Sequence, residues 1–432
     1  MRLDEYVDDL DRDESVEIRK LAEEKSYAIT EYLDDARSRF DETLSGETMV
    51  GSTAPSVFVG RSSYPNVSAG LLAPVGDEDA AADYVTTGEW YSRGYSIDDV
   101  FERRTGLLNS TRRSNVDVND VWDGFVGTQR EVAIADRPVD IELGLDDRPG
   151  FSGGDSLEDI AAPRGPRATA DSARVTENPS VPRAIEKTLS DDDWRAEGAM
   201  AYLYRRGFDV YEINNVLSVG ALGRGENRRL VPTRWSITAV DDTVGQYLHG
   251  GIRNAPSIDR TLVWHNSYMG NEYWVILTPG EWEFELLELK APGSVWNPDP
   301  DGRLYMAADS EGYEGRTGYV EETSGAYYAA RLGVLEALAE RDSQATAFVI
   351  RHATNGYWAP VGVWQIRESV RNAFEREPAV AETFHDALEA IVPRLPISMP
   401  KLRRKSTLTA GIQSDLSAFG GGSGDDGRSR RR

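Results

Sequence analysis

The feature that most restricts the fold is a pair of apolar runs, NEYWVILT at 271–278 and EWEFELLELK at 281–290, separated only by Pro279 and Gly280. Short runs that are rich in aromatic and branched side chains are typical of buried β-strands. Pro-Gly between two such runs indicates a tight turn. We therefore predict a hairpin over 271–290, within a sheet that has at least one antiparallel pair.

Helical and strand patterns along the rest of the chain predict an α+β fold, with a helical N-terminal segment, a mixed sheet and packed helices. An amphipathic pattern predicts a helix over 13–40, and Ser96 with Asp99 forms a capping box for a helix over 96–108. Short strands and loops are predicted over 50–75. Further helices are predicted near 184–206, 321–340, 364–376 and 381–392, and further strands at 233–240, 262–268 and 345–351.

The length of 432 residues suits about two or three domains. Residues 146–180 contain few large apolar side chains and much Gly, Pro, Ser and charge, which predicts an insertion or linker. The predicted division is an N-terminal part of the body at 1–145, a linker at 146–180, a C-terminal α/β part at 181–400 and a flexible tail at 401–432. The Gly-, Ser- and Arg-rich end at 420–432 is expected to be disordered.

The chain is strongly acidic, with a formal net charge of −25, and nearly all its basic residues are arginines. A dense carboxylate surface keeps a protein soluble where salt screens repulsion, so we expect a halophilic host. Residues 401–432 reverse this balance, with eight basic and three acidic side chains. A basic segment on an acidic body indicates a binding partner.

No run of about 18 apolar residues occurs that would cross a membrane. The N-terminus lacks the basic start and apolar stretch of a signal peptide, so we expect a cytoplasmic protein. The absence of cysteine excludes disulfides, thiolate zinc sites, iron–sulfur clusters and a cysteine nucleophile. The four histidines are not at metal-ligand spacing, so zinc is not expected, while a carboxylate site for a divalent metal stays open.

The basic segment contains Gln413, Leu416 and Phe419 at the spacing of peptides that dock into sliding DNA clamps. One helical turn places the Leu and Phe side chains together as an apolar plug, and the Gln side chain fills a polar pocket. The motif usually continues with a second aromatic residue, whereas this chain has Gly420. The alternative is that Ile412, Leu416 and Phe419 belong to a last helix that packs on the body.

Glu288 and Lys290 end one face of the strand that begins near Trp282. Glu-x-Lys after an apolar strand is also the metal-and-lysine pair of a large nuclease superfamily, in which the carboxylate holds a divalent ion and the lysine steadies the attacking water. A second carboxylate is then required, and Asp241 or Asp242 is the candidate. The alternative is a structural ion pair at a strand end.

Arginines are candidates for contacts with a nucleic-acid backbone. RRTGLLNSTRR at 103–113 carries four arginines without an acidic residue between them. FVGRSSYPNV at 58–67 places Arg61, Tyr64 and Asn66 in a turn-rich loop, where they suit phosphate and base contacts. The candidate DNA-binding arginines are Arg61, Arg103, Arg104, Arg112, Arg113, Arg224, Arg228, Arg229 and Arg234. The alternative is that they pair with surface carboxylates or make loop hydrogen bonds.

Long stretches along nearly the whole chain resemble, in order, the archaeal Nre DNA-repair proteins of the haloarchaeal NreA type. They include SVFVGRSSYPNVSAGLLAPVG, TGEWYSRGYSIDDVFERRTGLLNS, RRLVPTRWSITAVDDTVGQYL, WEFELLELKAPGSVWNPDP and KSTLTAGIQSDLSAF. The resemblance weakens over 146–180. It implies repair of DNA damage and contact with the sliding clamp PCNA through the C-terminal motif, carried here by Gln413, Leu416 and Phe419. It transfers no catalytic residues and, because this chain has no cysteine, no zinc.

The residues and the resemblance together predict a nucleoid-associated DNA-repair factor that the clamp recruits and that contacts DNA through arginines. One alternative is a metal-dependent nuclease or other DNA-modifying enzyme that uses Glu288, Lys290 and Asp241. Another is a non-catalytic adaptor between the clamp and a repair enzyme. The enzyme and the adaptor differ in whether Glu288 and Lys290 line a cleft with a further carboxylate or lie on a flat face, and only the cleft favours chemistry.

Overall fold

The computed structural model of the chain describes residues 38, 48–53, 56–75, 78–119, 121–150, 165–297 and 302–410. Within these residues the chain forms two six-stranded sheets with helices packed against them, which confirms the predicted α+β class. Apart from Ser38, the helix predicted over 13–40 lies outside the described residues, as does the end at 420–432. None of the described helices is long and apolar enough to span a lipid bilayer.

The first sheet is built from residues 48–175. Its strands are β1 (Thr48–Thr53), β2 (Val57–Val59), β3 (Asn66–Pro74), β4 (Leu107–Asn115), β5 (Val139–Leu145) and β6 (Arg167–Val175). Their order is β1-β5-β6-β4-β3-β2, in which β4 and β6 are parallel and the other neighbours antiparallel. The short strands predicted over 50–75 are confirmed. Because β6 lies inside 146–180, part of the predicted linker belongs to the sheet, and 151–164 lies outside the described residues.

The second sheet is built from residues 261–381. Its strands are β7 (Thr261–Tyr268), β8 (Asn271–Thr278), β9 (Glu283–Lys290), β10 (Tyr305–Glu311), β11 (Thr346–Ala353) and β12 (Ala379–Ala381). Their order is β10-β9-β11-β8-β7-β12, a mixed sheet as predicted. The strands predicted at 262–268, 272–278, 282–290 and 345–351 are confirmed within one or two residues at each end.

The hairpin predicted over 271–290 is wrong, because β11 lies between β8 and β9. β11 runs antiparallel to β8 and parallel to β9. All three strands are apolar and largely buried, and a strand with two buried faces belongs in the middle of a covered sheet. A tight hairpin is formed instead by β7 and β8 through Met269 and Gly270, which both have positive φ.

The described helices cover both sheets. They are α1 (Glu89–Ser92), α2 (Ile97–Thr105), α3 (Gly124–Ala133), α4 (Arg183–Ser190), α5 (Ala196–Arg205), α6 (Val210–Ser218), α7 (Thr233–Ile252), α8 (Gly325–Glu340), α9 (Trp364–Phe374), α10 (Phe384–Ile391) and α11 (Met399–Lys405). The predicted capping box of Ser96 and Asp99 is present at the start of α2. The helices predicted near 184–206, 321–340, 364–376 and 381–392 are confirmed, the first as two helices.

The strand predicted at 233–240 is wrong, since these residues form the first two turns of α7. Its buried residues include Val240, Val244, Leu248 and Ile252, which recur at steps of four and give the helix one apolar face. The branched residues of SITAV favour a strand locally, but the burial of this longer face decides for the helix.

The second sheet is covered on both faces. On one face Phe284 and Leu286 of β9 belong to the main core, which continues into the first sheet. On the other face Leu287 and Leu289 of β9 pack in a second cluster with Leu402 of α11. The C-terminal helix α11 therefore covers part of the second sheet.

Candidate nucleic-acid interface

Two exposed aromatic side chains meet where the β2–β3 loop approaches the start of α7. The rings of Tyr64 and Trp235 lie 5.7 Å apart at 49° to each other, and the two residues are 47% and 46% exposed. Other aromatic residues such as Trp296, Tyr305 and Tyr319 are also exposed, but Tyr64 and Trp235 are two exposed rings that lie against each other. We define the Tyr64–Trp235 surface by these two residues and their neighbours Arg61, Asn66, Arg113 and Arg234.

Backbone hydrogen bonds fix the loop that carries Tyr64. Gly60 N donates to Ser68 O (2.8 Å) at its base, and Asn66 N donates to Ser63 O (2.9 Å) within it. Val59 N donates to Thr233 Oγ1 at 2.9 Å, which joins β2 to the first turn of α7. The aromatic pair is therefore held by the ends of two rigid elements.

Three arginines give this surface a positive charge. Arg61 and Arg234 are exposed beside the aromatic pair in sequence, and Arg113 at the end of β4 donates through Nη1 to Asn66 O at 2.8 Å. The N-terminus of the 20-residue helix α7 adds the positive end of its dipole. Aromatic faces that stack on bases, next to guanidinium groups that bind phosphates, are the chemistry by which proteins hold single-stranded nucleic acid.

The other predicted arginines differ in their burial and in the contacts that they make within the protein. Arg228 is buried and donates to the backbone oxygens of Thr188, Leu189 and Gly223, so we leave it out of the interface. Arg229 forms an exposed ion pair with Asp117 at 2.9 Å.

The arginines of the 103–113 stretch are divided between two elements. Arg103 and Arg104 lie in the last turn of α2, where Arg103 stacks over the Tyr84 and Tyr95 rings and Arg104 donates to Val361 O at 2.8 Å. Arg112 on β4 is exposed and donates to the backbone oxygen of Asp171. Arg112 thus lies beside Arg113 on the strand that borders the Tyr64–Trp235 surface.

Sequence reasoning missed Trp235. The residue was hidden inside the segment predicted as a strand, where an aromatic side chain is expected to be buried. Read as a helix, the same segment puts Ser236 and Val240 on the buried face and leaves Trp235 on the exposed side of the first turn. A helical reading of 233–252 was the pattern that could have found it.

Glu288 lies in a buried ionic cluster at the end of β9. Its Oε1 lies 2.6 Å from Arg351 Nη1 on the neighbouring strand β11, and its Oε2 lies 3.1 Å from Lys290 Nζ. Arg351 Nε also donates to Asn271 Oδ1 at 2.9 Å. Two cations thus compensate the one carboxylate, and the part of the chain that the structure describes holds no group of three acidic or histidine side chains suited to a metal ion.

Asp241, the proposed third member of that site, lies in a different cluster. It is buried on α7, and both its carboxylate oxygens lie 2.6 Å from Arg367 Nη2 on α9. Burial raises the pKa of the Asp241 carboxyl, and the Arg367 guanidinium opposes that rise. The neighbouring Asp242 pairs with Arg331 at 3.1 Å. Neither aspartate contacts Glu288 or Lys290 in the hydrogen bonds and ion pairs of the described residues.

The described first part of the predicted flexible tail, residues 401–410, contacts the second sheet through α11 and residues 406–408. The buried Glu285 carboxylate on β9 accepts hydrogen bonds from Ser406 Oγ (3.0 Å), Thr407 N (3.0 Å) and Leu408 N (2.8 Å). Lys405 Nζ lies 2.6 Å from Glu322 Oε2. Gln413, Leu416 and Phe419 lie outside the described residues.

Comparison with known proteins places this chain in one family. The model of the archaeal Nre N-terminal region matches residues 21–297, and the model of the archaeal Nre C-terminal region matches residues 311–419. The chain therefore belongs to the archaeal Nre family, as the sequence resemblance implied. No solved structure matches the chain.

Three curated relatives define the family further. The DNA repair protein NreA of Haloferax volcanii is 62% identical over 420 residues, which cover 97% of this chain and 100% of that protein. The DNA repair protein NreA of Archaeoglobus fulgidus is 39% identical over 342 residues, 79% of this chain and 84% of the relative. The DNA repair protein NreB of the same organism is 34% identical over 360 residues, 83% and 88%. The similarity is thus of the NreA type, as predicted.

Proposed function

We propose that this protein is a DNA-repair factor of the nucleoid that holds DNA at the Tyr64–Trp235 surface and is recruited by the sliding clamp PCNA. The DNA-repair role is supported by its relatives, the DNA repair proteins NreA, which match over most of their length. The observation that carries the DNA contact is the exposed aromatic pair flanked by Arg61, Arg113 and Arg234. The clamp contact is supported by Gln413, Leu416 and Phe419 and their spacing.

The anchored C-terminal segment determines how such a clamp contact would act. Gln413 follows Ala410, the last described residue, by three positions, and an extended chain of that length spans about 10 Å. A clamp bound there stays close to α11 and the second sheet. Tethering at such short range raises the effective concentration of the body at clamp-bound DNA.

Replacing both aromatic residues tests the DNA contact. A Tyr64→Ala/Trp235→Ala variant of the full chain is expected to bind a labelled single-stranded oligonucleotide at least about tenfold more weakly, because each stacked base contributes about 1–3 kcal/mol. Fluorescence anisotropy over a range of potassium chloride concentrations gives the affinities. Tyr247→Ala is the matched control, since Tyr247 is an exposed aromatic residue further along α7. Equal affinities for all three proteins would contradict the proposed surface.

Replacing the last anchor of the motif tests the clamp contact. A Phe419→Ala variant is expected to bind the host's clamp at least about thirtyfold more weakly in calorimetry, because a buried aromatic anchor contributes about 2 kcal/mol or more. Ser417→Ala is the control, since position 417 lies between the anchors. Full binding by the Phe419 variant would show that the motif with Gly420 does not engage the clamp.

The adaptor alternative requires no chemistry in the body, whereas the nuclease alternative does. The nuclease alternative, with a divalent metal on Glu288, requires the carboxylate to leave Arg351 and Lys290, which hold it at 2.6 and 3.1 Å. A structural ion pair needs no such rearrangement. We therefore propose that the body binds DNA, and the stability of a Glu288→Ala variant tests whether Glu288 is structural.

A further inference from the structure

A second positively charged surface lies where the C-terminal segment joins the body. A cleft of about 620 Å³ runs between the start of β10 and α11. It is lined by Arg303, Leu304, Met306, Lys401, Arg404 and Lys405. Four of its six lining residues are cations, on a chain with 73 acidic and only 48 basic residues.

The positions of these cations converge on one space. Lys401, Arg404 and Lys405 follow the i, i+3, i+4 spacing that puts side chains on the same face of a helix. Arg303 approaches from the segment before β10. Lys405 is bonded to Glu322, whereas Arg303, Lys401 and Arg404 are exposed and form no ion pair within the residues that the structure describes. Like charges that line one cleft repel one another, and an anion bound between them offsets that repulsion.

We propose that this cleft binds the phosphate backbone of DNA as a second contact beside the Tyr64–Trp235 surface. The proposal rests on the proposed function, since DNA is the ligand in both. A phosphate backbone is a narrow ridge with one charge about every 3.4 Å along each strand, and a concave cleft of cations fits it better than it fits a flat acidic protein face. Leu304 and Met306 offer apolar contact to the sugars between phosphates.

The position in the chain supports the same ligand. Lys405 precedes Gln413 by eight residues, and residues 406–408 are fixed on Glu285. The cleft therefore lies next to the point where the clamp motif leaves the body. DNA that emerges from a clamp held by that motif would pass close to these cations.

The test uses the full chain with Arg303→Glu/Arg404→Glu and a labelled duplex oligonucleotide, followed by anisotropy at several potassium chloride concentrations. DNA affinity is expected to fall at least about tenfold, and the slope of log affinity against log salt is expected to become about two units less steep. Arg137→Glu/Arg183→Glu carries the same charge change on exposed arginines of other elements and is the control. Because Arg303 and Arg404 are exposed, both variants are expected to unfold at the parent temperature.

Each other outcome overturns the proposal. If the cleft variant binds the duplex like the parent while Tyr64→Ala/Trp235→Ala binds the single-stranded oligonucleotide weakly, the cleft is not a DNA contact and the proposed function stands. If the cleft variant loses clamp binding and keeps DNA binding, the partner is an acidic protein surface. Equal losses in the cleft and control variants would reveal a general charge effect. Failure of the parent to bind this duplex would overturn the cleft contact, and failure to bind the single-stranded oligonucleotide as well would overturn both DNA contacts.

Discussion

A Glu288→Ala variant is expected to lose about 3–5 kcal/mol of its free energy of unfolding, because removing one partner of a buried ion pair leaves the other charge without compensation. Arg351 is the charge left behind. Its Nη1 lies 2.6 Å from Glu288 Oε1, and both side chains are only 3% exposed. The measurement is denaturant unfolding followed by tryptophan fluorescence at one fixed salt concentration.

Lys290→Ala is the matched control for this prediction. Lys290 also bonds to Glu288, but its side chain is 14% exposed and lies over the Tyr305 ring at the edge of the cluster. Its removal leaves the Glu288–Arg351 pair intact, so a smaller loss of stability is expected. A Glu288→Ala protein as stable as the parent, with divalent-metal binding present in the parent and absent from the variant, would favour the nuclease alternative.

The fold could be predicted from the sequence where short-range patterns agree with burial. The strands β7, β8, β9 and β11 and the helices α8, α9 and α10 were found because each has a clear apolar pattern and nearby turn residues. The pairing of these strands could not be predicted in the same way. Pro279 and Gly280 indicate a turn, but they do not specify which strand lies beside each of the two that they join. The insertion of β11 between β8 and β9 depends on a segment more than fifty residues further along the chain.

The candidate interface could likewise be predicted only in part from the local sequence. Arg61, Tyr64 and Arg113 were identified from residue type and loop context, and these are local properties of the sequence. The partner ring of Trp235 comes from a helix about 170 residues away, and the hydrogen bonds that occupy Arg228 come from the segment 188–223. Charge and exposure in the folded state, which decide whether an arginine is available to DNA, depend on such long-range contacts.

An Arg367→Ala variant is expected to lose about 3–5 kcal/mol of unfolding free energy as well, since Asp241 would be left buried and charged. Burial already raises the pKa of Asp241, and loss of the opposing guanidinium raises that pKa further. A folded-state pKa above the unfolded value means that stability falls as pH rises through the folded pKa. The loss measured by denaturant unfolding is therefore expected to be larger at neutral pH than in mildly acidic buffer.

The double variant Asp241→Leu/Arg367→Met separates charge from packing at this site. It removes both charges and keeps apolar volume, so it is expected to be more stable than Arg367→Ala alone. A double variant as unstable as the single one would show that the stacking of Arg367 over the Tyr211 ring, at 4.8 Å, matters more than the ion pair. An Arg367→Ala protein with parent-like stability at neutral pH would mean that water reaches Asp241, and its carboxylate would again be a candidate for metal chemistry. The losses are expected because Asp241 and Arg367 join α7 to α9 through a buried ion pair. On that account Asp241 is a structural residue, and the surfaces that we propose for DNA contact lie elsewhere, at Tyr64 and Trp235 and at the cleft beside α11.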